Sequence, residues 1–169
     1  MTVIDKFLGK TVDIPDDRRY VPQQGLWGKK QDRAIVFGLT QAALILLNGL
    51  KSIDWLTEDG RRVSDGESIV FAITGKILYL DAPLSGTARY NSSVKDAPEK
   101  ISADPYGDGW LFSIEPDGDA DQLYLSLVSA EAYLNTLRET EGFKNPEGLK
   151  GGVSGICKAV YSGIGQQKI

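Results

Sequence analysis

The chain has no histidine, one cysteine and one methionine among its 169 residues. Without histidine it lacks the commonest general base near neutral pH, the usual catalytic dyads and triads, and imidazole metal sites. The lone Cys157 permits no internal disulfide and no multi-thiolate zinc or iron–sulfur site, and it suits a reducing compartment. Long hydrophobic runs are also missing. The most apolar stretch, Ala42 to Leu50, is far too short to span a membrane. Residues 1–17 mix charges with short apolar pieces and contain no signal-peptide core, so a cytoplasmic setting is expected. There is no excess of positive charge: 19 Lys and Arg stand against 23 Asp and Glu, a net charge of −4. No basic stripe is interleaved with aromatics, so neither nucleic acid nor a membrane is an expected partner. No paired carboxylates or activated nucleophile stand out, which argues against an independent enzyme.

What is abundant is glycine, at 19 residues, and the turns it implies. Val12 to Ile14 reads as a short strand ended by Pro15, and Ala34 to Leu39 as a buried strand. Thr40 is a plausible N-cap for a short helix near 41–48, stopped by Gly49. Short strands follow at 53–56, 62–63, 67–73, 77–80, 87–90 and 110–114. In 67–73, Ile69, Phe71 and Ile73 are expected on one face. Residues 91–102 read as a loop around a helical turn, and 122–128 fits either strand or helix. Ser129 caps a helix near 130–138 whose stripe is Tyr133, Leu134 and Leu137. Turn signals every 8 to 12 residues predict a mainly β sandwich or barrel.

Three local patterns are weighed as structural. Asp117 to Asp121 lacks the Gly and Glu spacing of an EF-hand and reads as a solvated acidic loop. No Lys-Ser or Lys-Thr follows Gly107-Asp108-Gly109, so it is no phosphate loop. From Thr140 the composition turns Gly-rich, which suggests an extension with a helical turn near 156–161 and an inert Cys157. Residues 1–19, 20–139 and 140–169 are thus expected to be an N-terminal segment, a central domain and a C-terminal extension.

Thr74-Gly75-Lys76 sits between two apolar strands and reads as a tight hairpin, with Gly75 supplying a positive φ. A lysine held out on such a turn is where a carrier domain attaches a swinging cofactor, and it is equally an ordinary solvated turn residue.

The order of motifs resembles the glycine-cleavage H-protein family over residues 20–137. The resemblance rests on Tyr20 and Trp27, on Gly38-Leu39-Thr40, on Gly60 and Gly66, and on Ala82-Pro83-Leu84-Ser85-Gly86. Asn91, Pro98, Pro105-Tyr106-Gly107-Asp108-Gly109-Trp110 and Ser129-Ala130-Glu131-Ala132-Tyr133 complete it. It implies a lipoyl-domain-like barrel-sandwich hybrid of two small antiparallel sheets. It also implies a non-catalytic carrier with lipoic acid joined covalently to Lys76, the family's lipoyl-lysine position when counted from Gly66. The implied partners are a lipoate-attaching enzyme, glycine decarboxylase, aminomethyltransferase and dihydrolipoamide dehydrogenase. The chain departs from the family at Ile73, where a Glu is usual, and at Gly75, where a Val is usual. It lacks the His-Glu before Trp27. It is two residues shorter between Lys76 and Asn91, with one loss before Pro83 and one after Gly86. A one-residue loss flips a strand's facing unless a turn or bulge absorbs it. Two alternatives stay open: an unmodified H-protein-like binding or regulatory module, and a lipoate-dependent paralogue serving a sulfur or redox pathway.

Overall fold

The chain begins with a hairpin of which the sequence shows only the second half. Strands β1 (Thr2–Phe7) and β2 (Lys10–Ile14) pair antiparallel. Leu8 and Gly9 make the turn, both at positive φ (51° and 78°). The computed structural model describes residues 2–144. The helical turn expected near 156–161 and Cys157 lie outside the described residues.

The chain continues through β3 (Arg19–Val21), a 3-10 turn at Pro22–Gln24, β4 (Leu26–Gln31) and β5 (Ala34–Leu39). Then come α1 (Gln41–Leu46), β6 (Ser52–Trp55), β7 (Arg62–Val63), β8 (Ser68–Ile73), β9 (Ile77–Asp81) and β10 (Gly86–Tyr90). The last elements are α2 (Ser92–Asp96), α3 (Glu99–Ala103), β11 (Phe112–Pro116), α4 (Ala120–Leu125), α5 (Ala130–Leu137) and α6 (Glu141–Lys144). Strands β3-β4-β5-β11-β10-β7 form a six-stranded sheet and β6-β8-β9 a three-stranded one, with every pairing antiparallel. This is the mainly β architecture that the strand pattern predicts, in the barrel-sandwich form that the resemblance implies.

One hydrophobic core joins the parts. Ile35, Phe37 and Leu39 alternate inward from β5, and the Phe37 ring stacks on Phe112 of β11 at 5.2 Å. Val70, Ala72, Leu78 and Leu80 enter the same core from the small sheet. Phe7 and Ile14 of the N-terminal hairpin are fully buried in it as well. On the other face of β4, the Trp27 indole lies across Gly38, where a Cβ would stand 2.7 Å from its ring atoms. Trp27 Nε1 donates to the Pro105 carbonyl at 2.8 Å, and the Arg18 guanidinium covers the Trp27 and Tyr106 rings at 4.7 and 5.3 Å.

Thr40 caps α1 as expected, its Oγ1 accepting from Ala43 N at 3.0 Å. Four local expectations change. The loop over residues 91–102 holds two short helices, α2 and α3, the first capped by the Asn91 side chain. Residues 122–128 divide: those up to Leu125 belong to α4, which Asp119 caps by accepting from Asp121 N and Gln122 N, while Val128 forms an antiparallel bridge with Tyr20. The acidic run is therefore not only a solvated loop: Asp119 is that cap, and Asp117 and Asp121 pair with Arg62 and Lys30. The last long strand starts at Phe112, since Pro105 to Trp110 is a turn closed by Gly109 N donating to Asp104 O at 2.9 Å.

Burial raises the phenols of Tyr20 and Tyr133 above their ordinary value and pushes Tyr106 up to about 12. Each fold-held phenol stays protonated at a pH where the unfolded chain has released its proton. Their contribution is therefore complete below about pH 10 and is lost as pH rises from there through the raised values. The urea midpoint is expected to hold steady up to about pH 9 and to fall steeply above pH 10. A midpoint unchanged up to about pH 12 would contradict the burial of these three hydroxyls.

Candidate functional site

The hairpin formed by β8 and β9 presents Lys76. Its register runs Ser68↔Asp81, Val70↔Leu80, Phe71↔Tyr79, Ala72↔Leu78 and Ile73↔Ile77. Thr74, Gly75 and Lys76 are the three connecting residues, closed by Thr74 N donating to Lys76 O at 2.9 Å. Lys76 is exposed at the tip. On the side of β8 that β6 covers, Lys51 N donates to Ile73 O at 2.8 Å, so the loop after α1 supports the hairpin just below its tip.

Between Ser68 and Val70 the pairing slips by one residue, so Ile69 is a bulge opposite β9. Such a bulge is how a sheet absorbs a one-residue difference between paired strands. It leaves Ile69 and Val70 buried in succession and reverses the expected facing of the rest of β8. Ile69 points inward, whereas Phe71 is half-buried and Ile73 is 37% exposed. The inward residues at the tip end are Val70 and Ala72, facing Leu80 and Leu78. Ile69, Phe71 and Ile73 therefore do not share a face, because the bulge shifts the two-residue period between them.

Gly75 also differs from expectation. Its φ is not in the left-handed region, and a Cβ built on it meets nothing within 4 Å. The turn does not need glycine there. Gly75→Ala is expected to keep the fold and to stabilise it by about 0.4–1 kcal/mol, since alanine narrows the unfolded ensemble. Thermal unfolding checks this, and a drop of several degrees would show that the turn depends on Gly75.

The base of the hairpin is fixed. Gln24, on the turn before β4, is buried. Its amide donates to Asp81 O at 3.1 Å and accepts from Asp81 N at 2.6 Å. Ser68 Oγ donates to Asp81 Oδ1 at 2.8 Å, and Gly66 N donates to Ala82 O at 2.8 Å. Nothing in the sequence marks Gln24, because its partner lies 57 residues away. The site is thus an exposed primary amine on a short tip over a rigid base. That geometry can offer an amine for acylation and swing an attached arm.

Comparison with known proteins settles the family. The model of the "Glycine cleavage H-protein" family matches residues 18–140. The chain belongs to the glycine-cleavage H-protein family. It is 36% identical over 129 residues to a glycine cleavage system H protein of Bifidobacterium longum, covering 75% of this chain and 90% of that one. An Anaeromyxobacter H protein is 36% identical over 132 residues, covering 77% and 100%. The crystal structure of a glycine cleavage system H protein from Mycobacterium marinum superposes with a TM-score of 0.61 at 32% identity. It covers 72% of this chain and 97% of that one. H proteins are lipoyl carriers, non-catalytic components that shuttle intermediates between the enzymes of the glycine cleavage system. This H-protein-family chain is a carrier of that kind and not an enzyme, with lipoate as the family's covalent cofactor. Among its described residues, no helix is long and apolar enough to cross a membrane.

Proposed function

We propose that Lys76 is the lipoyl attachment residue and that the chain serves the glycine cleavage enzymes from it. The observation that carries this is the exposed Lys76 amine at the tip of a hairpin whose base is buried and hydrogen-bonded. The Lys76 amine attacks an activated lipoyl carboxyl, an amide forms, the activating group leaves, and the amine's proton passes to solvent. The attached group supplies a disulfide–dithiol couple at the end of a long arm. The residues of this chain hold that arm's root in one place, so little freedom is lost when a partner docks. The partners are a lipoate-attaching enzyme, a glycine decarboxylase, an aminomethyltransferase and a dihydrolipoamide dehydrogenase. Residues 20–139 are the carrier unit, flanked by segments 1–19 and 140–169. The cytoplasm is its compartment, in keeping with the single cysteine.

The test is co-expression with a lipoate ligase in medium containing lipoate, followed by intact mass and peptide mapping. One lipoyl adduct on the Lys76 peptide is the expected result. An unmodified chain under those conditions would favour a second reading, an unmodified binding module. The apolar Ile73, where the family usually has Glu, favours that reading.

A further inference from the structure

Four large apolar side chains lie beside Lys76 on the outer face of the β8–β9 hairpin. Ile73, Ile77 and Tyr79 are 37%, 52% and 45% exposed. The half-buried Phe71 meets the Tyr79 ring at 5.7 Å. Ile73 pairs with Ile77 and Phe71 with Tyr79, so the four are contiguous. Singly scattered apolar residues need no explanation, whereas a contiguous patch marks a surface that something covers. These side chains expose on the order of 300 Å². A standard interface takes about 800 Å² from each partner, so the patch is the centre of a larger footprint and its rim decides what fits.

That rim is charged unevenly. On the side away from the tip, Asp54 stands opposite Phe71 and is bonded to Lys95 at 2.9 Å, so the two charges cancel. On the tip side stand Lys51 and Lys76, both exposed. Lys51 N donates to Ile73 O at 2.8 Å, and Ile73 pairs with Ile77. Two strand spacings, about 10 Å, therefore separate Lys51 from the β9 residue next to Lys76. Residues 50–53 and 73–79 contain no Asp or Glu. Lys29, Lys30 and Lys95 each hold an aspartate, but among the described residues Lys51 makes no ion pair. In a chain of net charge −4, the tip side of this face is a positive spot bordering an apolar centre. The complementary surface has an apolar centre and an acidic rim.

Acylation changes the rim. A lysine ammonium is positive at neutral pH and an amide is not, so a lipoyl group on Lys76 removes one of the two charges. Of the partners named above, only the lipoate-attaching enzyme meets the chain before that happens. Acidic groups set against both lysines hold the unmodified chain and loosen their grip on the acylated one, so the product leaves as its charge is lost.

We propose that the face of Phe71, Ile73, Ile77 and Tyr79, with Lys51 on its rim, is the docking surface for the lipoate-attaching enzyme, which meets it with an apolar centre and an acidic rim. Lys51 is a positioning residue: it holds that enzyme over the tip and touches no reacting atom. The choice of this partner rests on Lys76 as the attachment site. The apolar and cationic face stands without it.

The test takes the full-length chain and a purified lipoate ligase with ATP and lipoate, and counts adducts by intact mass. Lys51→Gln is expected to raise KM for the chain about two- to fivefold at unchanged kcat, the worth of one rim ion pair. Arg33→Gln removes an equal charge from the exposed turn between β4 and β5 and should leave KM where it was. Tyr79→Ser is expected to raise KM more than about fivefold, as loss of a central aromatic does. If Tyr79→Ser lowers the urea midpoint, Lys51→Gln, at an exposed position, still decides. Binding without turnover isolates the charge at 76. The Lys76→Arg chain is expected to bind the ligase several-fold more tightly than the Lys76→Gln chain, by a margin that shrinks as salt rises. Equal KM for Lys51→Gln and Arg33→Gln, or equal binding of the two Lys76 variants, overturns the proposal. So does concentration-dependent self-association that Tyr79→Ser abolishes, which would assign the face to a second copy. A chain that binds the ligase in this salt-dependent way but takes its lipoyl group on another lysine, or takes none, fails Lys76 as the attachment site and leaves the docking face standing.

Discussion

Lys76→Arg is expected to abolish the lipoyl adduct completely while leaving the fold unchanged. Arginine keeps the positive charge and the long stem at the tip. Its guanidinium stays protonated throughout the accessible pH range and does not form the amide. Backbone contacts close the tip: the Ile73–Ile77 pair and the bond from Thr74 N to Lys76 O. Any residue at 76 can supply them. Exposed substitutions of this kind usually change stability by less than about 0.5 kcal/mol. Intact mass after co-expression with ligase and lipoate reads the first expectation, and the urea midpoint reads the second. An adduct that persists in the arginine chain would move the attachment site to another lysine. A midpoint that falls sharply would make Lys76 a structural residue.

Tyr133→Ala is expected to cost about 3–5 kcal/mol, a large part of the 5–15 kcal/mol that keeps an ordinary domain folded. The side chain is fully buried and its ring stacks on Tyr20 at 4.7 Å, only 6° from parallel. Its hydroxyl shares a hydrogen bond of 2.6 Å with Thr40 Oγ1. Truncation therefore opens a cavity, unstacks Tyr20 and loosens the residue that caps α1. Tyr133→Phe keeps the ring and removes only the hydroxyl, so its expected cost is about 1–1.5 kcal/mol. Urea unfolding of the two variants separates the packing from the hydrogen bond. Equal costs would mean that the ring contributes little beyond its hydroxyl.

Much of this architecture is legible from local chemistry. The Thr40 cap, the strand at Ala34 to Leu39, the Ser129 cap and the order of the turns are all written within a few residues of where they act. Long-range pairing is what the sequence hides. The bulge at Ile69 is invisible in Ser68-Ile69-Val70, because it exists only in the pairing with the opposite strand. It alone decides that Phe71 and Ile73 face out. Strand β1 escapes notice because only Ile4 and Phe7 of its six residues are buried, a spacing of three and not two. For the candidate site, Lys76 can be found by counting from Gly66. The apolar face beside it and the Gln24 anchor below it depend on register and on a partner far along the chain.

The Gln24 side chain makes with Asp81 the two-way bond that the backbone of a neighbouring strand would make. A single amide thus plugs the exposed edge of β9 at one end and leaves the other end open. Strand β6 pairs with β8 as far as Ile73, so the hairpin is held along one side as well as at its root, and only the connecting residues 74–76 project beyond that support. The same plug denies another chain a full-length edge to zip along, so contact at this edge stays confined to the few residues around the tip.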